Sequence, residues 1–166
     1  TSKLKKVDRL PILAKKALQT SKFSEVLPDI LDRYITALDR RTYEDAYLRL
    51  WSLLEFITDT SSPGSNHETT VKRASGIYKD KERTQYLINS LREIRNRLVH
   101  ESTSDTISSV ITGHLKNIVE DHIIRLIHNP FNVNTRQEYG EALQLASTGD
   151  LQRKMRLIRS VLNFKK

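Results

Sequence analysis

An all-α fold is what this sequence predicts, and three observations carry the prediction. Apolar residues recur at helical spacing through nearly every segment. No segment sustains the strict alternation of a half-buried strand. Among 166 residues there are 5 glycines and 4 prolines, a composition that suits helices and argues against a sheet-rich protein. The length fits one domain with a sizeable core. Hydrophobic residues at 37% and charged residues at 29% place the chain among globular rather than disordered proteins.

Taken in order, residues 1–22 are basic, with Lys3, Lys5, Lys6, Lys15 and Lys16. Leu10, Leu13, Ala17 and Leu18 form a partial stripe that Pro11 interrupts, so this stretch reads as a linker or a peripheral helix. A bundle is expected over residues 23–130. Its first helix runs from about Pro28, at home in a first turn, to Arg40, and buries Ile30, Leu31, Tyr34 and Leu38. Thr42 is a candidate N-cap for a helix through Thr58. That helix has Ala46, Leu50, Leu53, Leu54 and Ile57 on one face, and Leu48 and Trp51 on the other. A helix apolar on two sides is a central helix. Glu55 sits beside Trp51 at helical spacing, with little water around it, and needs a cation or a donor. Two partners stay open: a structural pair with Arg73 or another arginine, or an orienting role toward Arg95 or His100.

Residues 61–68 read as a loop, with His67 exposed in it. A short helix from Thr70 to Tyr78 and a charged turn from Lys79 to Glu82 precede a long helix that ends near His100. The core stripe of the long helix is Leu87, Leu91, Ile94 and Leu98. After a polar loop, Asp105 could cap a helix from Thr106 to His128. Its stripe is Ile107, Ile111, Leu115, Ile118, His122 and Leu126, on which His122 reads as a satisfied core histidine. Asn129-Pro130 ends it. Thr135-x-x-Glu138 is a capping-box signal for a helix to about Ser147, and Gly149 and Asp150 provide its stop and the next cap. The last helix carries Leu151, Met155, Ile158 and Leu162 on one side. Arg153, Lys154, Arg156 and Arg159 spread over the rest and read as solvated charge before an RNA-contacting face. Residues 131–166 are thus expected as a helical pair packed on the bundle.

The net charge of +8 favours polyanions: nucleic acid, an acidic partner or a membrane surface. The absence of cysteine excludes disulfides and thiolate metal sites and fits a reducing cytosol. No apolar run reaches the length of a membrane span and no signal-peptide pattern is present, so no membrane partner is expected. There is no HExxH, no other metal-ligand spacing, no glycine-rich phosphate loop and no serine nucleophile motif, so neither metal nor cofactor is expected. The start at Thr1, without methionine, reads as a domain taken from a longer protein.

The chemistry-bearing stretch is residues 87–100, LINSLREIRNRLVH. Asn96 and His100, four apart, stack on the side away from the core stripe. Arg95 lies between, on a shoulder shared with Ile88 and Val99. That shoulder is otherwise apolar and reads as a second buried surface, suited to a subunit contact. At the helix C-terminus the dipole favours a cation, and Arg92, Arg95 and Arg97 oppose one. An imidazole between such effects is a candidate acid/base.

Arg95-Asn96-x-x-x-His100, late in a long helix and followed by a polar loop, resembles the signature of HEPN domains. With Trp51-Ser52-Leu53-Leu54-Glu55 upstream and Lys72-Arg73 between, the chain is most similar to the Apea-like branch. The resemblance spans roughly Tyr43 to His128. It implies an antiparallel helical bundle, here with extra terminal helices, acting as a metal-independent endoribonuclease. The site is composite, built by two motifs facing each other across a homodimer. In that scheme His100 is the acid/base, Arg95 the phosphate and transition-state cation, and Asn96 the group that orients His100 or the phosphate. Arg92, Arg97, Lys72 and Arg73 are candidate RNA contacts, and Glu55 a candidate orienting group. The implied setting is cytoplasmic, as the effector of a bacterial defence or toxin system. Two other readings stay open: a non-catalytic HEPN-like dimerisation or sensing module of a larger protein, and a plain helical interaction domain.

Overall fold

The computed structural model describes residues 21–61, 67–100, 107–146 and 151–164. Among them the chain forms seven helices and no strand. They are α1 (Leu27–Leu38), α2 (Tyr43–Ile57), α3 (His67–Ser75), α4 (Lys81–His100), α5 (Ser109–His128), α6 (Arg136–Ala146) and α7 (Leu151–Phe164). The all-helical expectation holds, and α1 to α6 assemble into a bundle around one core.

The centre of that core is α2. Seven of its fifteen residues are buried, on both of its apolar sides, including Tyr47, Trp51, Leu53 and Leu54. Thr42 caps it as expected, in extended backbone, its hydroxyl accepting from the Asp45 amide at 3.2 Å. In α1 the buried residues are Leu27, Ile30, Tyr34 and Ala37. Leu38, expected on this face, is 44% exposed, because the stripe begins one turn earlier, at Leu27. Tyr34 donates to Glu120 of α5; burial and that carboxylate push its hydroxyl well above the usual phenol range.

The third helix starts at His67 rather than Thr70 and ends at Ser75 rather than Tyr78, and α4 begins at Lys81, inside the expected charged turn. A chain of buried hydroxyls joins α3 to the end of α2: Thr70 donates to Thr60 at 2.9 Å, Thr60 pairs with Thr58 at 3.1 Å, and Thr58 donates to the Leu54 carbonyl at 2.8 Å. Asp59, in left-handed backbone at φ 57°, sets its carboxylate 3.1 Å from Arg136 and 3.8 Å from Arg73, tying α2, α3 and α6 together. Gly140 of α6 sits so close to this cluster that a Cβ there would lie 2.5 Å from the Arg73 guanidinium and 2.8 Å from the Thr58 carbonyl.

The helix α5 is capped by Ser108, whose hydroxyl accepts from the Ile111 amide at 3.4 Å, so it starts at Ser109 and not at Thr106. Asp105, the cap expected from sequence, lies outside the described residues, and Ile107 is buried ahead of the helix. Asn129, left-handed at φ 44°, ends α5 in front of Pro130. His122 is fully buried: Nε2 donates to the Ala74 carbonyl at 2.9 Å, and Nδ1 accepts from the Tyr139 hydroxyl at 3.1 Å. It is the satisfied core histidine the sequence suggested, and burial pulls its pKa down from 6.5 to about 4. In α6, the Glu138 amide donates to the Thr135 hydroxyl at 3.1 Å and the Glu138 carboxylate accepts from the Asn134 amide at 2.6 Å, the capping box read from the sequence shifted by one residue on its return bond. Tyr139 and Leu143 anchor α6 in the core. In α7, the second of the terminal pair, no residue is buried. No described helix is long and apolar enough to cross a membrane.

Candidate functional site

The helix that carries the motif is held against the bundle from two sides. Ile88 and Leu91 enter the core, and the Tyr47 hydroxyl of α2 donates to the Leu91 carbonyl at 2.6 Å. Ile94 and Leu98 pack against the core half-buried, while Leu87 is 39% exposed. The buried stripe is therefore turned toward Ile88 by roughly 60° from the one expected, at about 100° per residue. The sequence puts Ile88 on an outward shoulder with Val99 and Arg95, as a subunit contact. It is instead wholly inside the bundle, whereas Val99 is exposed and Arg95 half-buried. Of that shoulder only its C-terminal end is left on the surface.

There, Arg95 Nη1 lies 3.4 Å from Asn96 Oδ1, a long hydrogen bond in which the guanidinium donates. His100 is the last residue of α4, exposed, one turn beyond Asn96. Asn96 and Arg97 line an open groove of about 480 Å³ with Ser90, Glu93 and Ile94, all on α4. Arg95, Asn96 and His100 thus share the end of one helix, next to a surface depression. A guanidinium braced by an amide suits an anionic oxygen, and an exposed imidazole can exchange protons.

Arg92 stands one turn before Asn96, half-buried, its Nε atom without a hydrogen-bond partner. It faces Glu68 of α3, whose carboxyl is held below the usual range chiefly by Lys72. Lys72 pairs with Glu68 at 2.9 Å on the open surface. Arg73, named with Lys72 as a candidate RNA contact, is turned inward. Its Nη1 donates to the Thr58 and Asp59 carbonyls at 2.9 Å each, and its Nε to Gln144 at 3.3 Å. This guanidinium closes the end of α2, because the last carbonyls of a helix and the turn after it need donors, and it is not presented to a ligand.

Neither partner proposed for Glu55 is the one found. Its Oε1 accepts from Trp51 Nε1 at 2.7 Å and stands 3.1 Å from His67 Nδ1. The carboxylate is 14% exposed and the imidazole 40%. The donor Glu55 needed is thus supplied by the indole one turn earlier, and its second neighbour is a histidine, not an arginine. Glu55 orients an imidazole, but that of His67 and not that of His100. The sequence Ser61-Ser62-Pro63-Gly64-Ser65-Asn66 carries a loop signal that runs up to His67, and no local pattern shows that His67 opens a helix beside Glu55. Among the described residues no three histidine or acidic side chains come together in a way that could hold a metal ion. Comparison with protein-family models, curated proteins and solved structures returned no match.

Proposed function

We propose that this chain is a metal-independent endoribonuclease of HEPN type, with a composite site made by two copies of the α4 C-terminal end. The observation that carries the reading is the arrangement at that end: Arg95 braced on Asn96, with His100 exposed one turn further on. Cleavage through the ribose 2′-hydroxyl needs a base to remove its proton, an acid to protonate the leaving 5′-oxygen, and a cation at the phosphorane. His100 from each copy supplies the acid and the base. Arg95 supplies the cation, since its planar fork matches phosphate oxygens. The positive excess of the chain draws RNA to it. The substrate's own hydroxyl is the nucleophile, so this mechanism calls on no metal-bound water. A cytoplasmic effector in a bacterial defence or toxin system is the setting the resemblance supports.

The test is cleavage of single-stranded RNA in EDTA by wild type and by His100→Ala. The expected products carry a 2′,3′-cyclic phosphate and a free 5′-hydroxyl. His100→Ala removes detectable cleavage and leaves RNA binding, because general acid–base groups contribute on the order of 10²–10⁴ in rate. Equal cleavage by both proteins refutes the assignment. No cleavage by either favours the non-catalytic dimerisation or sensing module.

A further inference from the structure

The most anomalous surface of the molecule is α7. All of its fourteen residues are exposed, and none is buried against the bundle. Placed at about 100° per residue, they divide the helix in two. Phe164, Leu157, Val161, Ile158, Leu151, Leu162 and Met155 occupy one half of the circumference, interrupted only by Lys154. Arg159, Gln152, Asn163, Arg156, Ser160 and Arg153 occupy the other. The helix holds four cations and no acidic residue, and Lys165 and Lys166 follow it in the sequence.

We propose that α7 is an interfacial helix that lies on an anionic lipid surface. The charge pattern identifies the occupant. A half-circumference of aliphatic side chains is wider than the seam two helices share in a coiled coil. A second copy of α7, paired through the apolar half, would seal Lys154 of each copy inside the seam with no acidic residue on the helix to meet it. An RNA strand would match the arginines and leave the apolar half in water. A lipid surface satisfies both halves at once: the apolar half enters the acyl boundary, and the arginines meet the headgroup phosphates. Arg159 and Arg153 stand at the two borders between the halves, where a long side chain keeps its stem in the apolar layer and its charge at the headgroups. Lys154 stands near the middle of the apolar half, so its stem must run the whole way up to the headgroups, which holds the helix at a shallow depth. The helix is too short and too charged to span, so the attachment is peripheral and depends on salt. This inference does not rest on the ribonuclease reading.

The experiment is vesicle flotation of the whole 166-residue chain. One vesicle is phosphatidylcholine alone, and the other an equal mixture of phosphatidylcholine and phosphatidylserine. The wild type floats with the mixed vesicles and not with the neutral ones. Since α7 buries nothing, variants in it leave the bundle folded, which the circular dichroism spectrum checks. Replacing Arg153, Arg156 and Arg159 by Gln weakens binding on the order of a hundredfold, from about fivefold per cation near an anionic surface. The pair Ile158→Glu and Leu162→Glu abolishes it. Absence of wild-type flotation with the mixed vesicles overturns the proposal, as does equal flotation of the Glu pair. Loss of RNA retention by the Gln variant, with no flotation of wild type, reassigns α7 to RNA. Conversion of a dimer to a monomer by the Glu pair, again without flotation, reassigns it to self-association. RNA cleavage by wild type and His100→Ala is read separately and decides the ribonuclease reading alone.

Discussion

His122 makes the stability of this bundle sensitive to acid. Its ring is fully buried, and both nitrogens are committed, Nε2 as donor to the Ala74 carbonyl and Nδ1 as acceptor from Tyr139. A second proton would have to sit on Nδ1, where the Tyr139 hydroxyl now donates. Removal from water is the largest cause: it takes the pKa from 6.5 to about 4, against the opposing Ala74 hydrogen bond and Asp121 and with Arg125 assisting the fall. The folded-state pKa lies below the unfolded one. Between these two values the unfolded chain binds the proton and the folded chain does not, so stability rises with pH across that window. The contribution is complete above pH 6.5 and is lost as the pH falls toward about 4. A drop of that size, at about 1.4 kcal/mol per pH unit, is worth about 3 kcal/mol, a large part of the stability of a domain of this length. The assay is urea unfolding at about pH 7.5 and pH 4.5, on wild type and on His122→Gln, whose amide does not titrate. Other groups contribute to the pH dependence of both proteins, so the difference between them isolates the imidazole. Wild type should lose about 2 to 3 kcal/mol more than the variant on acidification. Equal losses would refute the buried, neutral histidine.

Four further outcomes are expected. Gly140→Ala forces a Cβ against the Arg73 guanidinium and the Thr58 carbonyl, and thermal unfolding should register a loss of roughly 1 to 3 kcal/mol. Arg73→Ala leaves the carbonyls of Thr58 and Asp59 without their donor, and should cost roughly 2 to 3 kcal/mol in urea titration while RNA binding by the folded protein stays unchanged. Glu55→Gln keeps an acceptor for Trp51 but drops the charge facing His67; because His67 is 40% exposed, urea unfolding should shift by under about 1 kcal/mol. Light scattering at micromolar concentration should give twice the chain mass, and a strict monomer would remove the composite site on which the proposed cleavage depends.

Local chemistry was legible in the sequence wherever one stretch of chain decides the outcome alone. Thr42, with a free hydroxyl before an apolar periodic run, caps α2; Thr135 and Glu138 open α6; Asn129-Pro130 closes α5. Such signals need no partner from elsewhere, because the donors and acceptors they satisfy lie within one turn. The two apolar sides of α2 likewise announced a central helix, and an apolar stripe through His122 announced a buried ring. The motif Arg95-Asn96-x-x-x-His100 lies within one helix, so its placement at a single helix end follows from spacing.

What tertiary structure alone decided is which face of each helix met which neighbour. Four apolar residues on α4 define a stripe, but Ile88 is as apolar as Leu87, and the choice between them was made by the position of α2, whose Tyr47 reaches the Leu91 carbonyl. Glu55 needed a cation or a donor, and the sequence supplied several at plausible distance. The placement of α3 beside α2 selected His67, and the carbonyls at the end of α2 claimed Arg73. In α7 the periodicity was plain in the sequence, yet only the fold shows that the apolar half is left in the open. Periodicity records that a helix has a side to bury; it carries no information on whether the bundle has room for it, since that is settled by how completely the other helices fill their own core.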